Sequence, residues 1–116
     1  MLGINSEEGF REILPGIEIK TINYGESMLM AKFRMEKGAV LPAHDHPYEQ
    51  TGYLIRGVIR ISGPDGIREC NPGDSWSIPA GAVHQAEILE DAVALEVFYP
   101  VREDYRVYLH QRDVIR

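Results

Sequence analysis

His44 and His46 stand two residues apart, and no other feature of this sequence has so clear a chemical use. In an extended segment residues i and i+2 face the same side, so both imidazoles can reach one ion. Gln50 follows four residues after His46, at the start of the next strand-like run, and its side-chain carbonyl is a competent hard donor. His84 comes much later, just after Pro79-Ala80-Gly81. Neutral imidazole nitrogens with one oxygen donor suit one divalent ion of Mn, Fe, Ni, Co or Zn. A six-coordinate ion on these four donors keeps two positions for water or substrate. Gln50 adds no charge, so such an ion keeps its full formal charge and acts as a stronger Lewis acid toward an anionic ligand. Any one histidine alone is better explained as an exposed or singly satisfied side chain. Three of the four histidines fall in one interlocking pattern, and His110, outside it, is given no role.

Glu96 is the second chemical signal. It is the only charged residue in the run Ala92 to Tyr99, and a buried unpaired carboxylate is costly. On a two-residue period Ala94, Glu96 and Phe98 share a face opposite Leu95, Val97 and Tyr99. If that face looks inward, Glu96 points toward the ion; if outward, it marks an outer face or a subunit contact. Tyr48, Tyr53, Trp76 and Phe98 are available to wall a pocket, with Tyr53 and Trp76 better suited to core or interface. Asp45, between the paired histidines, should face away from the ion. Cys70 is the single cysteine, so it has no intramolecular disulfide partner, and it reads as a small residue in or near a strand.

The elements that must position these groups read as strands. Gly and Pro clusters at Lys37-Gly38, Gly63-Pro64-Asp65-Gly66, Asn71-Pro72-Gly73 and Pro79-Ala80-Gly81 separate short runs rich in β-branched and aromatic residues. From Met28 to Glu36 one face is Leu29, Ala31, Phe33 and Met35 and the other carries Lys32, Arg34 and Glu36, the pattern of a half-buried strand. Ile55 to Ser62 and Ile67 to Cys70 flank a turn and form a hairpin. About eight to ten short strands of this kind give a sandwich or barrel. Ser6 to Leu14 is expected to be a short helix, with Ser6 as its N-cap and Pro15-Gly16 as its stop. The charged, amphipathic stretch from Arg102 to Arg116 is open between helix, edge strand and tail.

A length of 116 residues argues for one domain, and the average apolar and charged fractions argue against disorder. The formal net charge of −6, with no run of Lys or Arg, argues against nucleic acid or an anionic membrane as partner. Met1 to Asn5 lacks the charged start and apolar run of a signal peptide, and no apolar stretch reaches spanning length, so the expectation is a soluble cytoplasmic protein.

The spacing of these residues resembles that of the cupin superfamily, of the compact single-domain cupin 2 type. Gly38, His44-Asp45-His46, Gln50 and Gly57 follow the first cupin motif, with Gln50 where Glu is usual. Gly73, Pro79-Ala80-Gly81, His84 and Ile88 follow the second, with Ile88 in place of Asn. Glu49 is adjacent to the motif position, but only Gln50 keeps the six-residue gap to Gly57. The resemblance implies an all-β double-stranded helix, a jelly-roll barrel, with a short N-terminal helix or extension. It implies one cupin domain over residues 1–116, with the barrel from about 25 to 100 and a tail over 101–116. Small cupins commonly pair, which implies a homodimer.

The stretches around His46 to Tyr53 and Glu96 to Tyr105 further resemble the pectin-degradation cupins called KdgF, which act on unsaturated monouronates. That resemblance implies His44, His46, Gln50 and His84 as the metal set and Glu96, Phe98 and Arg102 as the acid, aromatic and arginine of the site; the group usually has Asp where Glu96 stands. The implied reaction is opening of a 4,5-unsaturated uronate to a linear keto sugar acid, with Glu96 moving a proton and Arg102 clamping the carboxylate beside Phe98 and Tyr48. A metal-dependent dioxygenase acting on a diketone or flavonol is the alternative, and a non-catalytic ligand-binding cupin the third reading, because this fold hosts many chemistries.

Overall fold

The computed structural model describes residues 1–116 and is built almost wholly from antiparallel strands. They run in the order β1 (Leu2–Gly3), β2 (Arg11–Leu14), β3 (Ile17–Tyr24), β4 (Leu29–Met35), β5 (Val40–His44), β6 (Glu49–Gly63), β7 (Gly66–Cys70), β8 (Ser75–Ile78), β9 (His84–Tyr99) and β10 (Val114–Ile115). A short helix α1 (Glu103–Arg106) and a single 3₁₀ turn (Gln111–Asp113) lie between β9 and β10. No helix is long and apolar enough to cross a membrane.

The long strands β6 and β9 organise the barrel. They pair from Glu49↔Tyr99 to Ser62↔Gln85, and each also pairs with other strands along its outer edge. On one half, β4 borders β9 and β8 borders β6; on the other, β5 borders β9 and β7 borders β6. The two halves fold over one another at register shifts between Leu54 and Ile59. Gly57 sits at that bend with φ +91°, and a Cβ there would stand 2.3 Å from the Asp91 carbonyl oxygen. Only glycine combines that backbone with so close an approach.

Two apolar clusters fill the interior. Leu54, Ile59, Cys70, Ile88, Ala92 and Ala94 form one, and Ile19, Leu29, Ala31 and Phe98 form the other. Cys70 is thus a buried core residue in β7, as its context implied. Leu29 and Ala31 are buried, and the Gly63–Gly66 turn joins β6 to β7 as a hairpin.

The N-terminal helix expected over Ser6 to Leu14 does not form. Arg11–Leu14 pairs with β3 instead, and Gly9 takes φ +88°, outside helical space. The Ser6 hydroxyl bonds the Asp113 carboxylate at 2.8 Å rather than serving as a helix cap, and the Phe10 ring lies 3.7 Å under the Arg34 guanidinium. Local capping signals lost to sheet pairing and these long-range contacts; of helix and extension, the extension is what exists. The tail is helix, turn and edge strand in succession, and β10 pairs with β1. Both ends meet at Lys20, which is buried and donates to the carbonyls of Ser6 (2.8 Å) and Glu8 (3.0 Å) and to Asp113 (2.9 Å).

Candidate metal centre

His44 closes β5 and His84 opens β9, and the two are direct partners across that ladder. Cross-strand partners hold side chains on the same face, which explains how residues forty positions apart bring their rings to 4.1 Å between centroids. His46, two residues past His44, adds its ring at 4.9 Å from His84 and 5.5 Å from His44. One ligand atom from each of the three lies within 4.8 Å of the others. Asp45, between them, is exposed and faces away.

The hydrogen bonds fix which nitrogens are free on His44 and His84. His44 Nδ1 lies 2.8 Å from the Pro42 carbonyl and His84 Nδ1 2.9 Å from the Ala82 carbonyl. A carbonyl only accepts, so each Nδ1 carries the proton and each Nε2 keeps its lone pair. His84 Nε2 is buried and has no hydrogen-bond partner in the protein. An orphaned acceptor beside two further imidazoles is what a divalent ion would satisfy, and the residues therefore fit such an ion. Burial holds His46 and His84 below the ordinary imidazole pKa, with the Gln50 hydrogen bond opposing it at His46 and the Ala82 carbonyl opposing it at His84. Neutral rings are the ligating form.

Gln50, in β6, is buried and its Oε1 lies 2.6 Å from His46 Nε2. Its oxygen therefore reaches the edge of the histidine cluster. Its other end, Nε2, donates to Glu96 Oε2. Glu96 Oε1 accepts from the Trp76 indole N–H at 2.6 Å. Ala94, Glu96 and Phe98 are all buried, so their shared face does look inward. Burial pushes the Glu96 carboxyl up to about 7, against the pull of the Trp76 hydrogen bond and the Arg102 charge. A cavity of about 60 Å³ is lined by Gln50, Trp76, His84 and Glu96 among apolar residues.

Arg102 follows β9 just before α1. Its guanidinium lies 3.7 Å over the Tyr105 ring, 4.9 Å from Phe98 and 5.0 Å from Tyr48, and pairs with Asp104 at 2.8 Å. It thus lies on the two rings, Phe98 and Tyr48, that neighbour His46. Phe98 stacks edge-on against His46 at 6.0 Å, and Tyr48 lies 5.9 Å from the same ring. The tertiary structure thus brings together His44, His46, Gln50, His84, Glu96, Phe98, Tyr48 and Arg102.

Two aromatic readings need refinement. Tyr53 lies on the outer face of β6, exposed, so it is not a core residue. Trp76, read as core or interface, does pack against the first apolar cluster, and in addition it bonds the site carboxylate. Its signal was present in the alternation of Ser75-Trp76-Ser77-Ile78 and in Gly52 at mid-strand, a mark of close approach. Gly52 is opposite Trp76 on one edge of β6 and opposite Glu96 on the other, and the indole crosses over it.

Comparison with known proteins agrees with this fold. Residues 31–99 match the model of the Cupin domain family. The structure of KdgF from Halomonas sp. superposes with a TM-score of 0.84 at 28% identity, covering 90% of this chain and 96% of that one. An RmlC-like cupin from Shewanella frigidimarina NCIMB 400 shares the fold, with a TM-score of 0.81 at 23% identity over 88% and 94% of the two chains. The oxalate decarboxylase OxdC of Bacillus subtilis (strain 168) is 25% identical over 80 residues, which is 65% of this chain. The chain spans only 21% of that relative's length.

Proposed function

This chain belongs to the cupin family, and from that premise we propose that it is a metal-dependent enzyme opening a 4,5-unsaturated uronate to a linear keto sugar acid. The observation that carries the reading is the meeting of Glu96, Phe98 and Arg102 beside the three-histidine cluster, on a chain similar to KdgF along nearly its whole length. His44, His46, Gln50 and His84 would hold the ion, which supplies Lewis-acid polarisation of substrate oxygens.

Arg102 binds the uronate carboxylate. Asp104 takes its Nε and Nη2, which leaves Nη1 donors for the substrate. Tyr48 and Phe98 flank that position and exclude water from one sugar face. Glu96 moves the proton. In the overall change the anomeric hydroxyl loses its proton, the bond from the anomeric carbon to the ring oxygen breaks, and a proton is added at C4. The ring oxygen becomes the carbonyl at C5. Reactant and product are isomers, so no oxidant or reductant is consumed. The protein is further read as a homodimer, which light scattering at micromolar concentration tests: a monomer throughout removes that assignment.

The deciding experiment incubates Zn- or Mn-loaded protein with an unsaturated monouronate and follows the ultraviolet absorbance of its conjugated double bond. Loss of absorbance well above the buffer rate, without oxygen uptake, is the expected result. Absorbance that decays at the buffer rate removes the uronate reading. Oxygen consumption with a diketone or flavonol supports the dioxygenase reading, and binding without turnover supports a ligand-binding module.

A further inference from the structure

Trp76, Glu96 and Gln50 form a chain of hydrogen bonds with a fixed direction. The indole N–H can only donate, and it donates to Glu96 Oε1 at 2.6 Å. The Gln50 amide nitrogen donates to Glu96 Oε2. A carboxylate suits this place because each of its two oxygens can accept, one from each side. Once the nitrogen end of Gln50 is held by Glu96, the oxygen end has one direction left, toward His46, which it meets at 2.6 Å. Turning Gln50 over would set its amide oxygen against a Glu96 carboxylate oxygen, two acceptors face to face, and Gln50 and Glu96 are both buried.

We infer that Trp76 and Glu96 are positioning residues for the metal centre, and that together they set the Gln50 side chain with its oxygen, rather than its amide nitrogen, facing the ion. An amide nitrogen has no lone pair to offer a cation, so the orientation decides whether Gln50 ligates or repels it. This role rests on the ligand set proposed above and is separate from any proton that Glu96 carries. Gly52 completes the device. Its missing side chain lets the indole cross β6, where a Cβ would stand 2.2 Å from indole Nε1.

The test exploits the fact that glutamine at position 96 has only one acceptor. In Glu96→Gln the indole claims that oxygen. The new amide nitrogen then faces Gln50, which turns its own oxygen away from the ion. Zn²⁺ affinity, measured by titration calorimetry, falls by about 10–100-fold, the range for losing an orienting partner of a metal ligand. Trp76→Phe alone leaves affinity within a few-fold of wild type, because Glu96 still accepts from Gln50. Adding Trp76→Phe to Glu96→Gln frees the glutamine oxygen to face Gln50, and affinity returns most of the way. A role confined to packing predicts that the double variant is worse than either single one.

A second readout needs no variant. Trp76 is the only tryptophan, so its indole N–H gives one NMR signal; this signal lies downfield, is protected from exchange, and shifts as Zn²⁺ is added. Wild-type Zn²⁺ binding with Glu96→Gln unchanged, no recovery in the double variant, or an indole proton that exchanges freely overturns the inference alone. Wild-type protein that binds no Zn²⁺, or Gln50→Ala that binds it as wild type does, overturns the proposed ligand set and the inference with it.

Discussion

His84 Nε2 is buried and bonds to nothing in the protein, so removal of this ring deletes a donor without breaking an existing hydrogen bond at that atom. His84→Ala is expected to weaken Zn²⁺ binding by more than about 100-fold, beyond the effect of losing an outer partner, with the far-UV circular dichroism of the metal-free chain unchanged. Calorimetry and dichroism on the same sample check both parts. Arg102 belongs to a different function. Its guanidinium is held by three aromatic rings and Asp104, and only part of its donor set is taken. Arg102→Ala should raise KM for an unsaturated uronate by about 10–100-fold, the worth of a charge-assisted hydrogen bond, while kcat changes little. A fall in kcat with KM unchanged would move Arg102 from binding to the chemical step.

The long strands β6 and β9 explain why the site has this shape. Because each is shared by both halves of the sandwich, one ladder carries Gln50, Gly52, Glu96 and Phe98, while the far end of β9 presents His84 to β5. Side chains on one face of adjacent strands are neighbours by geometry, and no loop has to be ordered to bring most of these groups together. That economy makes the ladder intolerant of bulk at Gly52. Gly52→Ala is expected to cost about 1–3 kcal/mol of stability through overpacking against the indole, and to release the Trp76 hydrogen bond. Urea unfolding gives the first quantity. The second appears as a change in the emission of the single tryptophan, and a variant with wild-type stability and emission contradicts the close approach.

The two ends of the chain are joined by a clasp outside the three-histidine cluster, beside His110. Lys20 is buried and sits between Asp113, Ser6 and Glu8, with β1 and β10 paired beside it. Burial works against the Asp113 charge, but the Lys20 and Ser6 hydrogen bonds outweigh it and hold the carboxyl below its ordinary pKa. A depressed carboxyl favours the folded state above its unfolded pKa and loses that contribution as pH falls through the folded one. Asp113→Asn leaves a buried ammonium with only carbonyl and hydroxyl partners, and should lower stability near neutral pH by about 3 kcal/mol. In urea unfolding the gap between variant and wild type should stay constant down to the ordinary aspartate range and narrow below it. A gap that stays constant into strong acid removes the clasp.

What the sequence determined by itself was the ligand pattern and the strand grammar. His44 and His46 are two apart, and Gly38, Gly57, Gly73, Pro79 and Gly81 mark turns that local sterics explain, at intervals that gain meaning from the resemblance to the cupin motifs. That Ala94, Glu96 and Phe98 share a face was readable because the side-chain period of a strand is two, but that this face looks inward was decided only by the assembled sheet. The extent of β6 and β9 was not readable, since a strand shared between two halves of a sandwich carries no local mark of its second set of partners. The N-terminal helix failed for the same kind of reason: Ser6, Glu7 and Glu8 favour a helix start locally, but Arg11–Leu14 gains a strand partner and Ser6 gains Asp113, 107 residues away. Trp76 was read only as a core or interface aromatic, although the alternation around it and Gly52 carried a weak signal. Its meeting with Glu96 depends on register across three strands and on the bare backbone of Gly52, and register is a property of the assembled sheet rather than of any segment within it.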